Sequence, residues 1–293
     1  MIYRNLRRRM DYILASDGSR RKRELRMKID LFSPGCKYRD EYLEEITYMK
    51  ARDIITMFPY AFRERYHELA IDVKRDEEKK MFYVVHDGKR LYYPSDISGE
   101  GVRNMYRAIR LEQDIESPHR YFSDGFEFMQ NGIFCDVGCA EANIALEVVD
   151  RAKAVVLFEA SSRWLPALEA TFEPYRDKVH IINKFAGNKM NDEMTTIDYE
   201  LEQRDLDGEV YIKIDAEGSE EKILDGGMDT LKKRRVRGAV CTYHRQEDAK
   251  KFEKVFKDLK FQTQFSKGWC IYMGSEKLEP PYFRKGLLRI SNF

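Results

Sequence analysis

The sequence predicts an α/β protein: a mostly parallel sheet with crossover helices, finished by an antiparallel hairpin and preceded by a helical module with a small β-hairpin. Three observations lead there. From Gly132 onward, short apolar runs alternate with stretches of helical periodicity, the signature of a parallel sheet. The last two runs are separated only by Ser266-Lys267-Gly268, too short for a crossover and right for a hairpin. Upstream, from about Pro34 to Ser123, the pattern is mostly helical with one interruption by short strands.

In the upstream part, residues 41–60 and 101–115 carry apolar side chains at helical spacing, among them Tyr42, Ile46, Met49, Val102, Tyr106 and Ile109. Between them residues 69–73, 81–86 and 89–93 read as strands, the last two joined by Asp87-Gly88, a strong hairpin turn signal. Ser117-Pro118 ends the second helix, because a residue before proline avoids the helical region. Strands are then expected at 133–137, 154–158, 179–185, 210–215 and 237–243, with helices at 143–151, 162–173, 219–231 and 246–259. The closing hairpin is expected from 261–265 and 269–273. A parallel sheet ending this way is the layout of the class I methyltransferase Rossmann-like fold, which separates the chain from an ordinary dehydrogenase. The expected organisation is a basic N-terminal arm (1–33), an α+β module (34–122) and a cofactor-binding domain (123–293).

Composition bounds the function classes. With 293 residues and 43% apolar composition the chain can bury a large core. The net charge of +1 hides an asymmetry: residues 1–28 carry ten basic side chains, from Arg4 to Lys28, against Asp11, Asp17 and Glu24. Such an arm can meet anionic surfaces, although a solvated lead-in is the plainer reading and a nucleic-acid partner is not expected. No apolar segment of a secretory signal follows the arginines, and no uncharged stretch is long enough to span a membrane, so a cytoplasmic protein is expected. The five cysteines are odd in number and look like small buried hydrophobes of a reducing compartment. Cys135 and Cys139 are four apart with no second pair to complete a zinc set, so no metal is expected there.

Two strand-to-turn motifs carry the chemistry. In the first, Ile133 to Val137 is an apolar strand holding Asp136, and it passes through Gly138-Cys139-Ala140-Glu141-Ala142 into a helix at Asn143. A dinucleotide loop needs three glycines so that backbone can approach a pyrophosphate. Here alanines stand in two of those places, and their methyls crowd a diphosphate while tolerating a ligand whose nearest group is an amino acid, as in S-adenosylmethionine. The next strand runs into Glu159-Ala160, and an acid about 20 residues past the glycine is placed to accept both ribose hydroxyls. At the third strand end, Asn183-Lys184-Phe185 offers an amide and an aromatic face to an adenine.

The second motif is Lys213-Ile214-Asp215-Ala216-Glu217-Gly218-Ser219-Glu220, a strand that ends on two carboxylates and turns into a helix. Side chains alternate along a strand, so Lys213, Asp215 and Glu217 share one face. With Asp136-Val137-Gly138 and Thr195-Thr196-Ile197-Asp198, this motif resembles the FkbM family of S-adenosylmethionine-dependent methyltransferases over about residues 132–273. The alanines of the first loop depart from a family that more often has a late glycine there.

The resemblance implies S-adenosylmethionine as cofactor, with Asp136, Gly138, Cys139, Glu141, Asn143, Glu159, Ala160, Lys184, Phe185 and Asp215 as its contacts. It implies methyl transfer to a hydroxyl of a small molecule or sugar. Alignment supplies most of the acceleration of an in-line displacement, and a hydroxyl acceptor also has to lose its proton. Asp215, Glu217 and His244 are the candidate bases. Each has a duller alternative: Asp215 holding the cofactor's ammonium group, Glu217 bound to Lys213 or favouring the helix start, His244 a strand-end residue without a role. Asp215 and Glu217 could hold a divalent metal, but spacing fixes no third carboxylate, and metal independence is expected. The polar, turn-rich segment from Gln113 to Tyr121 can fold over the amino-acid end of the cofactor or serve as a connector. The N-terminal module would shape the acceptor site or mediate self-association. The rival readings are a nicotinamide-dependent oxidoreductase, which would also use Glu159, and a non-catalytic binding module with a degenerate loop.

Overall fold

A computed structural model describes residues 17–275 and 278–293. Its centre is a seven-stranded sheet. In sequence order, β4 (Ile133–Val137), β5 (Ala154–Phe158), β6 (Val179–Ile182), β9 (Val210–Ile214) and β10 (Val236–Cys241) are parallel, and β14 (Leu287–Ser291) lies antiparallel between β10 and β11 (Gln262–Phe265). The order across the sheet is β11-β14-β10-β9-β4-β5-β6, and the short strands β7 (Phe185–Ala186) and β8 (Met194–Thr195) pair with each other outside it. This is the class I methyltransferase arrangement, reversing direction between β4 and β9, where open α/β sheets place their ligands.

The expected hairpin is therefore corrected in detail. The partner of β11 is Leu287–Ser291, and Cys270–Ile271 (β12) pairs instead with Phe283–Arg284 (β13) in a separate ribbon. The reason is burial. A strand beside β10 is covered on both faces, and all five residues of β14 are buried, whereas β11 alternates between exposed and half-buried as an edge strand does. Nearness in sequence favoured 269–273, but the sheet selects the run that can be buried throughout.

Alternation along the strands divides the core into two faces. Phe134, Val155, Tyr211 and Ala239 face Phe58, Leu91, Val102 and Tyr106 of the N-terminal part, together with α4 (Asn143–Val148) and α5 (Leu165–Phe172). Cys135, Val156, Ile212 and Val240 face the other side, against α7 (Glu220–Asp225), α8 (Met228–Lys233) and α9 (Asp248–Asp258). The expected helix 219–231 is broken into α7 and α8 at Gly226-Gly227.

The N-terminal part contains α1 (Asp17–Phe32), α2 (Leu43–Arg52), a three-stranded antiparallel sheet β1 (Val73–Asp76), β2 (Met81–His86) and β3 (Lys89–Tyr92), and α3 (Gly99–Glu112). The helix expected over 41–60 stops at Asp53, which takes a left-handed conformation. α3 starts at Ser98, whose Oγ accepts the Gly101 N–H at 3.1 Å. From Asp17 the basic arm is helical, and it buries Met27 and Leu31 among Tyr42, Ile46 and Phe283 of the ribbon. Arg4, Arg7, Arg8 and Arg9 lie outside the described residues. Among the described residues, no helix is long and apolar enough to cross a membrane.

Candidate active site

The strand parity that sorts the core also builds the site. Asp136 lies two residues beyond Phe134, and Lys213 two beyond Tyr211, so both charged side chains emerge on the face covered by the N-terminal part. They are neighbours across β4 and β9. Lys213 Nζ donates to Asp136 Oδ1 at 2.7 Å and to the Gly138 carbonyl at 3.1 Å. Both residues are almost fully buried. Burial pushes the Asp136 carboxyl up and Lys213 pulls it back, while Asp136 and Asp215 hold the Lys213 ammonium in its charged form against its own burial. Asp136, expected as a cofactor contact, therefore spends its carboxylate on pairing beneath the loop.

A cavity opens beyond the carboxyl ends of β4, β5 and β9. Gly138 lies on its wall, Glu159 and Ala160 at the end of β5, Phe185 and Met194 to one side, and Asp215 and Glu217 at the other. Gly138 is required by close approach, because its φ is +71° and a Cβ there would lie 2.0 Å from the Asp215 carbonyl. Ala140 and Ala142 also hold left-handed conformations, at φ 44° and 57°. The loop thus keeps a glycine-loop path despite its alanines. Glu159 is held at the wall by main chain: Oε2 accepts the Ala140 N–H at 3.1 Å and Oε1 the Ser161 N–H at 2.7 Å.

Several expected contacts lie elsewhere. Lys184 reaches the Asn191 carbonyl at 3.2 Å and does not line the cavity. Cys139 and Glu141 are buried in the turn, and Asn143, the first residue of α4, lies on a separate groove with His86 and Glu147. Met194, Ser219 and Lys222 line the cavity without having been expected; they come from a two-residue strand and from the start of α7, whose approach to the site no sequence period encodes.

The second motif resolves residue by residue. Asp215 follows β9 and is held on both oxygens, Oδ2 by the Tyr121 hydroxyl and Oδ1 by the Tyr243 hydroxyl, each at 3.1 Å. Burial would raise its carboxyl, but His119, His244 and Lys213 hold it well below the ordinary carboxylate range. Burial conversely raises both tyrosine hydroxyls, so they remain donors. Glu217 sits in a left-handed conformation, φ 54°, and its Oε2 accepts the Tyr272 hydroxyl at 2.6 Å. Glu220 Oε1 accepts the N–H groups of Ala216 at 3.0 Å and Gly218 at 3.2 Å, closing the turn that presents Asp215 and Glu217.

His244 packs behind these carboxylates. Its Nε2 lies 3.5 Å from Asp215 Oδ1 and 3.7 Å from Glu217 Oε2, and its Nδ1 lies 2.8 Å from Glu220 Oε1, away from the line of a good hydrogen bond. Burial alone would lower its pKa, but Glu220, Glu217 and Asp215 raise it to about 9. At neutral pH it is an imidazolium, a fixed positive charge with no free lone pair for an acceptor's proton. From the polar segment Gln113 to Tyr121, it is Tyr121 that reaches Asp215. Thr195-Thr196-Ile197-Asp198 proves to be a capping device: Thr196 caps α6 (Ile197–Gln203), and Asp198 accepts the Asp229 and Thr230 N–H groups at 2.9 and 2.8 Å at the start of α8.

Residues 135–264 match the family model described as the methyltransferase FkbM domain. Among solved structures, a methyltransferase FkbM from Methylobacillus flagellatus KT aligns with 18% identity and a TM-score of 0.45, covering 68% of this chain and 56% of that one. The chain thus spans little more than half the length of that relative. A precorrin-6y C5,15-methyltransferase from Geobacter metallireducens GS-15 aligns with 12% identity and a TM-score of 0.37, over 56% and 80% of the two chains. A Streptococcus pneumoniae protein described as a candidate tRNA (m1A22) methyltransferase, in complex with S-adenosyl-L-methionine, aligns with 18% identity and a TM-score of 0.36, over 55% and 66%. No curated protein matches the sequence. The likeness to the FkbM methyltransferase domain is thus carried by residues 135–264, the part of the chain that holds the sheet and the cavity.

Proposed function

We propose that the chain is an S-adenosylmethionine-dependent methyltransferase acting on a hydroxyl of a small molecule or sugar. The observation that carries this reading is the cavity with Glu159 on one wall and the Asp215–Glu217 pair at the far end. The donor set fits the cofactor. A ribose diol needs two acceptor oxygens on one rigid carboxylate, and main-chain N–H groups fix both oxygens of Glu159. Phe185 offers a face to adenine. Asp215 is a permanent anion suited to an ammonium group. When bound, the cofactor would supply an electrophilic methyl group.

The chain's own residues then align and deprotonate the acceptor. Glu217 is the proposed base: it lines the cavity beside Asp215, and the Tyr272 hydroxyl fixes its carboxylate through Oε2. His244, as imidazolium, stands 3.7 Å from Glu217 Oε2 and does not accept the proton itself. Residues 34–122 are proposed to shape the acceptor site, as one body or through self-association, and the unpaired buried cysteines suit a cytoplasmic protein.

Calorimetric titration of the full chain with S-adenosylmethionine, S-adenosylhomocysteine and NAD tests the cofactor. Binding of the first two without NAD is expected; tight NAD binding alone would end the methyltransferase reading in favour of a nicotinamide enzyme. For the base, Glu217→Gln should lower kcat about 100-fold or more with little change in cofactor affinity. Full activity in that variant at every pH would remove Glu217 from the role.

A further inference from the structure

Below the cavity, on the face covered by the N-terminal part, three side chains converge. His119 comes from the segment before the sheet, Asp215 from the end of β9 and Cys241 from the end of β10. His119 Nε2 lies 3.5 Å from Cys241 Sγ and 3.6 Å from Asp215 Oδ2, and all three donor atoms lie within 4.8 Å of one another. His119 and Cys241 are buried, and Asp215 is the member that reaches the cavity.

We propose that His119, Asp215 and Cys241 form a site for a borderline-soft divalent cation, Zn2+ foremost. The spacing carries the proposal. A ring nitrogen bearing one hydrogen cannot serve both neighbours, and 3.6 Å is too long for a charge-assisted N–H···O bond, which closes to about 2.8 Å. Tetrahedral zinc with bonds of about 2.3 Å to sulfur and 2.0–2.2 Å to nitrogen and oxygen separates its ligands by roughly 3.4–3.6 Å, which matches both contacts. The ligand chemistry agrees: one thiolate, one imidazole and one carboxylate suit zinc and exclude magnesium or calcium, which take oxygen ligands.

The surroundings supply what a metal-bound histidine needs. His119 Nδ1 is buried without a hydrogen-bond partner, and the nearest carboxylate, Glu112 Oε2, stands 3.9 Å away on that side of the ring, where an outer acceptor orients a ligating imidazole. The nearby cations are engaged: Lys213 pairs with Asp136 at 2.7 Å, and His244 lies closest to Glu220, at 2.8 Å. Asp215 is a half-buried carboxylate that the Tyr121 and Tyr243 hydroxyls bond directly, while His119 and His244 stand off at 3.6 and 3.5 Å. A dication would balance it and fix its second oxygen toward the cavity. The inference rests on these three residues and stands whether or not the cavity takes S-adenosylmethionine.

The test is metal content of the purified full chain after dialysis against zinc-free buffer, before and after incubation with equimolar Zn2+. About one zinc per chain is expected, falling at least 10-fold in Cys241→Ser and His119→Gln. Replacement by Co2+ should give a thiolate-to-metal charge-transfer band that Cys241→Ser lacks; because the band is read first on the unmodified chain, a variant that misfolds does not decide the result. A wild-type chain that takes up no zinc and shows no such band would overturn the proposal and leave a hydrogen-bonded trio. So would zinc bound equally well by Cys241→Ser.

Discussion

Replacing Lys213 by methionine should cost far more than a surface charge would. Among the described residues, the Lys213 ammonium is the only hydrogen-bond partner of the Asp136 carboxylate, at 2.7 Å, and Asp136 is 1% exposed. Methionine keeps most of the volume but strands a buried anion. Breaking a buried pair from one side costs about 3–5 kcal/mol, a large share of the roughly 5–15 kcal/mol that holds a domain together. The escape route is protonation of Asp136, whose carboxyl burial already pushes up. In the variant its folded-state pKa rises further, so the native state favours the protonated form and the loss shrinks as pH falls and grows toward pH 8. Urea unfolding followed by circular dichroism, extrapolated to water at pH 5 and pH 8, measures both effects. The double variant Asp136→Asn/Lys213→Met removes both charges and should recover most of the loss. A cost below about 1 kcal/mol for Lys213→Met at pH 8, or a double variant as unstable as the single one, would refute the claim that this pair is a mutually dependent buried unit.

Three further outcomes follow from the same geometry. Ala140→Gly, at φ 44° and only half-buried, should stabilise the chain by about 0.5–1 kcal/mol in the same unfolding assay, since glycine relieves a left-handed strain of roughly 1–2 kcal/mol while adding freedom to the unfolded chain. Glu159→Ala should weaken S-adenosylhomocysteine binding by about 1–3 kcal/mol in calorimetry, through loss of charged hydrogen bonds; unchanged affinity would take Glu159 out of the site. Burial and the nearby Glu220 push the Asp248 carboxyl up to about 6 against the pull of Arg245, so folding takes up a proton there, and this favourable contribution is lost as pH rises through about 6. Asp248→Asn keeps an acceptor for the Arg245 N–H, and should match the wild type near pH 4 and exceed it by about 1–2 kcal/mol at pH 8; a pH-independent difference would contradict this account.

Much of the fold was legible because strand burial leaves a strong local trace. The five parallel strands are apolar runs broken by turns, and β4 and β5 begin and end where the sequence placed them. The pairing of the last strands was not legible. Residues 269–273 and 287–291 are both apolar, and only the need to bury both faces beside β10 decides between them. Glu159, Asp215 and Glu217 reach the cavity because each lies at or just past a strand end, a position set by the hydrophobic pattern itself. Lys184 and Asn143 do not, because the direction of a loop side chain depends on which turn follows.

The sequence by itself determined the sheet, the carboxylates at its edge and the family motif, all of which depend on residues near one another along the chain. Tertiary structure alone decided what those carboxylates are. His119 and Tyr121 come from one segment, Tyr243 and His244 from beyond β10 and Tyr272 from beyond β12; the two histidines with Lys213 hold Asp215 as an anion, Tyr272 binds Glu217, and Glu220, Glu217 and Asp215 keep His244 charged. A pKa follows from distances and burial, and neither is encoded in the order of residues.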